Sequence, residues 1–392
     1  MRISDFNLRH LAAVVATVDH GSVSAAARQV NLTQPALTQG IAKLEKAMGL
    51  PLFERRPGGM VPTEAASLLA PRARAALQLI GSARLTSPQV RAFTAVARHG
   101  SYAAAALSTG LREASLHRAV GDLSIALAQR LVERRGRTIG LTAKGQEVAR
   151  RFRLAEAELR SALAELAALQ GREIGRITIG AMPLSRARLL PAALAAFSRL
   201  HPQVDLSIVE GSHADLVGPL RDGDIDLMVG ALRDPVTAEG LVQRPLFIDR
   251  PVILGGARHP LATRSRAPSA AELARFDWIV PAEGTPLRAQ WQQIFALSGI
   301  EPPRVAIESG SVIMVRQLLI ESDYLTLLSP DQVALELEGG WLARIGNAPG
   351  DPSREIGITT RAGWRPTRLQ AEIVAAVVEV AGLVSKRGLS KS

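Results

Sequence analysis

His20-Gly21-Ser22-Val23-Ser24-Ala25-Ala26-Ala27 and, 79 residues further on, His99-Gly100-Ser101-Tyr102-Ala103-Ala104-Ala105-Ala106 read as two copies of one segment. Carried forward without a gap, the same offset sets Leu32 on Leu111, Leu37 on Leu116 and Leu44 on Leu123. It then sets Leu52 on Leu131, Glu54-Arg55-Arg56 on Glu133-Arg134-Arg135, and Thr63 on Thr142. Between positions 13 and 63 about a third of the residues equal their partners. Alanine inflates chance matches, but the Gly-Ser pair and the Glu-Arg-Arg triplet are not alanine. The first 142 residues therefore read as a duplicated domain.

Each copy has the periodicity of short helices. Leu8, Leu11, Ala12, Val15 and Val18 trace one face of a first helix that stops at Gly21. Ser22 suits the N-cap of a second, Val23 to Val30, ended at Asn31. Thr33 suits the N-cap of a third, which runs to about Met48 with Pro35 in its first turn and Leu37, Ile41 and Leu44 spaced for burial. Leu52-Phe53-Glu54-Arg55 and Met60-Val61-Pro62 suit two strands around the turn Pro57-Gly58-Gly59. Two short helices, a tight turn and a basic hairpin describe a winged helix-turn-helix. Such a unit binds DNA because a helix fits the major groove and wing arginines meet phosphates. Thr33, Gln34, Thr38 and Gln39 fall on the exposed side of the reading helix, and Lys43, Arg55 and Arg56 are phosphate candidates.

This stretch closely resembles the DNA-binding domain of LysR-type transcriptional regulators, through Gly21-Ser22, Ala25-Ala26-Ala27 and Leu32-Thr33-Gln34-Pro35-Ala36-Leu37-Thr38. The match continues through Ile41, Leu44-Glu45, Gly49, Leu52-Phe53 and Arg55. The resemblance implies a regulator that binds double-stranded DNA, with Ser22, Gln34, Pro35 and Thr38 at the DNA surface. The second copy keeps the apolar skeleton and the wing arginines Arg134, Arg135 and Arg137 but changes the reading face. Thr33-Gln34-Pro35 become Arg112-Glu113-Ala114, Glu45 becomes Ser124, Gly49 becomes Ala128 and Phe53 becomes Val132. Its outer face carries Arg112, Glu113, Ser115, His117 and Arg118. Two readings stay open: altered DNA contact through Arg112, His117, Arg118, Arg134 and Arg135, or a spacer or dimerisation domain whose fold outlived its reading function.

From Thr142 to Gln170 there is no proline, and Val148, Phe152, Ala155, Leu159, Leu163 and Leu166 recur near heptad spacing, which suits a partner helix. In LysR-type proteins the helix at this place pairs antiparallel between subunits, so the resemblance implies a homo-oligomer, dimer or tetramer. The chain divides into copy one (1–86), copy two (87–142), a linker helix (143–170) and a C-terminal part (171–392).

Charge follows the same division. Lys and Arg number 47 against 36 Asp and Glu, a balance of +11. Residues 1–170 hold 23 basic and 12 acidic residues and the remainder 24 of each, so the whole excess sits beside the repeats. The absence of cysteine excludes disulfides, thiolate metal ligands and thiol nucleophiles, and the seven histidines form no HExxH-type pair. No metal or cofactor is expected. Met1-Arg2-Ile3-Ser4-Asp5 opens no signal-peptide core, and the longest apolar run, Ile373 to Val384, is broken by Glu379, so the expectation is a cytoplasmic protein without a membrane partner.

After residue 171 strands and helices alternate, as in open parallel sheets. Arg176 to Gly180, Val204 to Val209, Gly223 to Gly230, Val252 to Gly255, Trp278 to Val280, Val305 to Ile307 and Leu325 to Leu328 read as strands or turn-strand units. Helices are expected at Leu189 to Leu200, Leu216 to Leu220 and Pro366 to about Ser385. There is no nucleophile elbow, phosphate loop or dinucleotide fingerprint, so no enzyme is expected. This part resembles the two-lobed, periplasmic-binding-protein-like effector domain of the same family. The match runs through Ile177-x-Ile179-Gly180, Leu190-Pro191-x-x-Leu194-x-x-Phe197, Pro202-x-Val204, Glu210-Gly211, Leu220-x-x-Gly223-x-Ile225-Asp226-Leu227 and His259-Pro260-Leu261. Leu327-Leu328-Ser329-Pro330 and Glu210-Gly211-Ser212 look most like a subgroup that senses sugars or aromatic acids. Ser322-Asp323 departs from relatives that carry glycines there.

The implied architecture is a multidomain α/β chain of tandem winged domains, linker helix and two lobes. Lobe I spans about 171–252 and 355–392, lobe II about 253–345. In such a fold the ligand lies at strand C-termini and helix N-termini, which favour an anion. The matching positions are Pro183, Leu184, Ser185, Ser212, Ala231, Thr285, Arg288 and Ser311, with Arg288 or Arg233 as counter-charge for an organic acid. The alternative is a two-lobed binding protein or enzyme whose N-terminal repeats only oligomerise.

Overall fold

The computed structural model describes residues 6–57, 59–82, 85–135, 138–233, 239–264, 266–350 and 352–389. Met1 to Asp5, Gly58 and Arg137 lie outside the described residues, as do the side chains of Arg135, Thr138 and residues 384–389.

The repeat is visible as structure, element for element. Copy one comprises helices α1 (Leu8–His20), α2 (Val23–Gln29) and α3 (Gln34–Met48), strands β1 (Phe53–Arg56) and β2 (Gly59–Pro62), and helix α4 (Glu64–Ile80). Copy two comprises α5 (Ser87–His99), α6 (Tyr102–Thr109), α7 (Glu113–Ala126), β3 (Val132–Arg135), β4 (Thr138–Leu141) and α8 (Ala143–Leu169). Each element of copy two starts 79 residues after its counterpart. The hairpins share one antiparallel register, Phe53 opposite Pro62 and Val132 opposite Leu141. The Thr63 hydroxyl donates to Pro51 O at 2.7 Å and the Thr142 hydroxyl to Arg130 O at 2.7 Å, so both wings are fastened to the following helix in the same way.

Helix α4 falls in a stretch to which the sequence pattern assigns no element. Pro71 and the charged Arg72 sit inside it, where helix periodicity is hardest to see. It packs along α8, and the two helices run antiparallel, since Arg72 meets Glu158 while Arg151 donates to Leu79 O. Counterpart positions are buried in both: Ala66 and Gly145, Leu69 and Val148, Ala70 and Ala149, Ala73 and Phe152, Ala76 and Ala155, Ile80 and Leu159. The heptad face of α8 thus has a partner helix, but it belongs to the same chain. The expectation of a second subunit against this face is corrected by α4.

Beyond α8 the chain forms two five-stranded lobes. Lobe I holds β5 (Gly175–Ala181), α9 (Leu189–Leu200), β6 (Val204–Glu210), α10 (His213–Asp222), β7 (Leu227–Ala231) and β8 (Leu241–Asp249). Lobe II holds β9 (Val252–Gly256), α11 (Ala270–Leu273), β10 (Trp278–Val280), α12 (Pro286–Ala296), β11 (Val305–Glu308), α13 (Val312–Glu321), β12 (Leu325–Leu328), α14 (Ala334–Glu338) and β13 (Leu342–Asn347). The chain then returns to lobe I as β14 (Arg354–Arg361) and α15 (Arg368–Leu389). The strand orders are β6-β5-β7-β14-β8 and β11-β10-β12-β9-β13. Lobe II therefore begins at Val252 and reaches Asn347, slightly beyond the limits read from sequence. Strands β8, β13 and β14 fall where the sequence pattern marks no strand. In β8 the exposed residues are interrupted by Pro245, which an edge strand tolerates because no ladder bond is lost on its open side.

The core bears out the expected spacing of Leu37, Ile41 and Leu44 in α3, but in α1 it corrects the expected face. Beside Leu8 and Leu11 that helix buries Ala13, Val14, Ala16 and Thr17 and leaves Ala12, Val15 and Val18 half-buried. Leu11, Leu37, Leu52 and Leu69 in copy one, and Leu116 and Leu123 in copy two, are almost fully buried. Truncating such a side chain to alanine costs about 2–5 kcal/mol. The copies differ at the end of the reading helix. Gly49 caps α3 in the left-handed region at φ 69°, whereas its counterpart Ala128 holds φ 51° with a Cβ. That conformation costs a non-glycine residue about 1–2 kcal/mol. Gly49→Ala should lower the stability of the N-terminal module by about 1 kcal/mol, while Ala128→Gly should hold or raise it. Chemical-denaturation midpoints of the two variants against the parent chain measure the contrast.

Candidate DNA interface and effector cleft

The copy-one interface is built on α3. The Thr33 hydroxyl caps it, accepting from Ala36 N at 3.3 Å, and Pro35 occupies its first turn. Leu37, Ile41 and Leu44 face the core, which turns Gln34, Pro35, Gln39 and Lys43 to solvent and leaves Thr38 half-buried. Glu45 then braces the wing: its Oε1 accepts from Leu52 N at 2.8 Å and from Phe53 N at 3.3 Å. On the wing, Arg55 and Arg56 are exposed, and Arg56 also pairs with Glu54 at 2.9 Å. The Met60 N–H donates to Gly21 O at 3.0 Å, drawing the hairpin against the end of α1. A Cβ on Gly59, whose φ is 127°, would stand 2.5 Å from that carbonyl, so the close approach needs glycine. Ser22 occupies the N-cap position of α2, yet among the described residues its side chain makes no capping bond, a correction to its expected role.

Copy two presents a different face. Arg112 precedes α7 without capping it, and Arg112, Arg118 and Arg134 are exposed. His117 is engaged within the protein: its ring stacks on Tyr102 with centroids 3.5 Å apart, and its Nε2 lies 3.8 Å from Glu113. Ser124, where copy one has Glu45, turns back to bond Val120 O at 2.9 Å, so the brace between reading helix and wing is gone.

The expected effector residues all lie at the C-terminal ends of parallel strands. Pro183, Leu184 and Ser185 form a 3₁₀ turn after β5, packed against the end of β7 that carries Ala231. Ser212 caps α10 after β6, Thr285 caps α12 after β10, and Ser311 caps α13 after β11. Ser185 is fully buried and its hydroxyl donates to Met182 O at 2.8 Å, so it closes its own turn. Arg288 is nearly buried, with its guanidinium carbon 5.0 Å from the centre of the Trp291 ring. Among the described residues its Nε has no hydrogen-bond partner, and neither has the Nη1 of Arg233. Burial, with a smaller push from Arg354, pulls the Arg233 guanidinium below the ordinary arginine range.

Two further residues belong to this edge and are absent from the expected set. Ser329, at the end of β12, is 1% exposed, and among the described residues its hydroxyl has no partner. The 3₁₀ turn after it, Pro330–Val333, touches the turn Pro183–Arg186 of the other lobe. Arg188 reaches across as well, 3.5 Å from Asp331 and 3.7 Å from Glu338. Ser329 lies in the Leu327-Leu328-Ser329-Pro330 segment, which carries a resemblance but no expected site role, and Arg188 lies in no motif; an orphaned buried hydroxyl and a cross-lobe ion pair exist only once the lobes are folded. A cavity of about 370 Å³ lies at the opposite, N-terminal ends of β5 and β6, between lobe I and α8. Its wall includes Asp226, whose carboxyl burial pushes above the usual range and whose Oδ2 accepts from Thr178 N at 2.8 Å. Among the described residues no His, Asp or Glu cluster has the makings of a metal site, and no helix is long and apolar enough to cross a membrane.

Two winged helix-turn-helix units, a long helix and a two-lobed α/β domain define the class of DNA-binding regulators with an effector domain. Comparisons with known proteins agree. The family description "Bacterial regulatory helix-turn-helix protein, lysR family" matches twice, at residues 8–67 and 88–146, and "LysR substrate binding domain" matches residues 170–382. The HTH-type transcriptional regulator GalR of Pseudomonas putida is 31% identical over 387 residues, 95% of this chain and 97% of that one. The SDS degradation transcriptional activation protein of a Pseudomonas species is 34% identical over 281 residues, 70% of this chain and 90% of that one. Among solved structures, ArgP from Mycobacterium tuberculosis superposes with a TM-score of 0.59 and a full-length OxyR variant from Pseudomonas aeruginosa with 0.57, each at 21% identity. They cover 75% and 74% of this chain but 96% and 97% of their own, and at that identity they show the shared fold. The chain belongs to the LysR family; it is a DNA-binding transcriptional regulator with an effector-binding domain.

The reading helix also carries a titratable neighbour. His10 of α1 lies against Gly40, where a Cβ would come within 2.9 Å of its ring. Burial, then the charge of Lys43, pull its imidazole below the ordinary 6.5. The neutral ring is therefore the packed form, with full stability above pH 6.5 and loss as pH falls through the lowered value. The melting temperature of the N-terminal module should drop as pH falls below the ordinary histidine value of 6.5, and His10→Gln should flatten that dependence.

Proposed function

We propose that copy one reads base edges in the major groove through Thr33, Gln34, Thr38 and Gln39, while Lys43, Arg55 and Arg56 contact phosphates. The observation that carries this reading is the Glu45 brace, which fixes an exposed polar helix face and an exposed basic wing in one orientation. Glutamine offers adenine a donor and an acceptor together, which arginine on a phosphate does not. Copy two, without that brace and with His117 stacked on Tyr102, grips the backbone through Arg112, Arg118 and Arg134. Gln34→Ala should cost about 1–3 kcal/mol on the preferred sequence and little on random duplex. Arg55→Ala should weaken both alike and lower the salt slope by about 1. Titrations of labelled duplexes over a salt series distinguish the two, and equal losses on specific and random DNA for both variants would overturn the placement.

The effector in this reading is a small organic or aromatic acid held at the edge where the lobes meet, between the turn at Pro183–Arg186, Ser329, Thr285 and Arg288. Three observations support an anion: the Nε of buried Arg288 and the Ser329 hydroxyl, both unpartnered among the described residues, and the helix N-termini at Ser212, Thr285 and Ser311. The protein acts in the cytoplasm as a homodimer or tetramer, and closure of the lobes on the acid shifts its population of DNA-bound forms. An acid at 100 times its Kd should add about 2.7 kcal/mol to the stability of the effector domain, and Arg288→Ala should abolish that gain. Thermal-shift screening of carboxylic acids and neutral sugars tests it; a response to sugars alone, or one untouched by Arg288→Ala, would refute the anion site.

A further inference from the structure

The contacts between the two winged copies obey an exchange rule. In a two-fold interface, if residue i touches j, then the counterpart of j touches the counterpart of i. Arg72 donates to Glu158 at 3.2 Å. Their counterparts under the 79-residue offset are Arg151 and Leu79, and Arg151 Nε donates to Leu79 O at 2.8 Å. The midpoint of these contacts falls beside Ala76 and Ala155, themselves counterparts and both buried where the helices meet. At the other end of the module the Ser87 hydroxyl donates to Phe6 O; the exchanged pair, Leu8 and Leu85, is buried in the same core. The α4–α8 pair is therefore a pseudo-two-fold interface, and it lies inside one chain.

The asymmetry of the pair is as clear as its symmetry. Helix α4 stops at Gly81, where φ is 75° and the Arg151 guanidinium fills the space a Cβ would need. Helix α8 continues past Leu159, the counterpart of Ile80, until Gln170 donates to Met48 O at 3.0 Å at the end of the copy-one reading helix. Glu45 braces the copy-one reading helix to its wing, whereas Ser124 at the matching place in copy two bonds back to Val120 O of its own helix. A duplex has two-fold axes of its own, and paired readers on such an axis dock on half-sites about one helical turn apart.

We propose that one chain is a complete two-headed DNA module, and that it binds a single operator as an imperfect inverted repeat. Copy one reads one half-site and copy two grips the other. The inference rests on the reading role assigned to α3 above. Its consequence is a stoichiometry of one chain per repeat, whatever the oligomeric state of the effector domains.

The test uses the full chain. Sequences selected from a random duplex pool should show one strongly constrained and one weakly constrained half-site at fixed spacing. With a short duplex carrying that repeat in excess, native mass spectrometry should give as many bound duplexes as chains in whatever oligomer forms, and hydroxyl-radical footprinting should protect both halves. Gln34→Ala should relax the strong half alone, by about tenfold or more. The double variant Arg112→Ala with Arg118→Ala should leave the selected sequence unchanged, weaken binding, and lower the salt slope by about 2. All three residues are exposed, so these variants keep the fold. Two chains per duplex, or equal relaxation of both half-sites by Gln34→Ala, would overturn the single-chain module while leaving the reading role intact. Failure to select any sequence would overturn both.

Discussion

Arg72 sits about one turn from the centre of the α4–α8 contact, 6% exposed, and ties the two helices to lobe I. Burial alone would lower its pKa, but Glu165 at 2.6 Å and Glu158 at 3.2 Å more than offset that and hold the guanidinium above its ordinary range. Its Nη1 also donates to Arg365 O at 2.8 Å in the loop between β14 and α15. A buried ion pair of this kind adds little net stability over well-packed apolar residues, because desolvation cancels most of the attraction. What it supplies here is register. A slide of α4 along α8 by one turn would strand a charge in the core, an outcome that costs several kcal/mol.

The same helix that carries the winged pair is clamped on its other face to lobe I. Arg153 pairs with Asp222, Arg160 donates to Gly223 O at 3.2 Å, and Arg365 pairs with Glu158 at 2.9 Å. Arg361 of β14 meanwhile donates to Leu220 O at 2.8 Å and Ile225 O at 2.6 Å, tying the end of α10 to the central sheet. A displacement of α10 relative to β14 thus has a short polar route to α8, and α8 is half of the DNA module. The N-terminal end of α10 lies at the proposed effector edge and its C-terminal end lies on α8. One ten-residue helix spans the distance between the two functions.

The fold was legible where residue type and periodicity speak for one position at a time. The Glu-Arg-Arg repeat, the caps at Thr33 and Thr142, and the apolar spacing of α8 reappear as structure with the same residues in those roles. Of the two Gly-Ser pairs, only Ser101, not Ser22, makes a side-chain capping bond among the described residues. The partner of α8 was not legible, because heptad spacing demands a partner without saying which chain supplies it. Helix α4 hid behind Pro71 and Arg72; an arginine reads as a surface residue, and this one is buried only because two glutamates from α8 meet it. The effector edge was half legible. Helix caps announced themselves through serine and threonine, whereas the orphaned hydroxyl of Ser329 and the cross-lobe pairing of Arg188 arise only when two lobes distant in sequence are brought together.

The divergence of copy two follows from the same geometry. Within the α4–α8 pair both copies share one core. Phe93 of α5 packs edge-on against Phe152 of α8 at 6.0 Å, and that shared core holds copy two whether or not its wing is braced. Loss of the Glu45 equivalent, the strained Ala128 and the internal engagement of His117 are all changes to the reading face, none to the dyad. The apolar positions of the α4–α8 contact are buried in both copies, whereas the exposed residues at the start of α3 do not keep their identity in α7. In the proposed two-headed module one head discriminates and the other holds. Reading and gripping can therefore separate between copies once pairing is fixed within the chain.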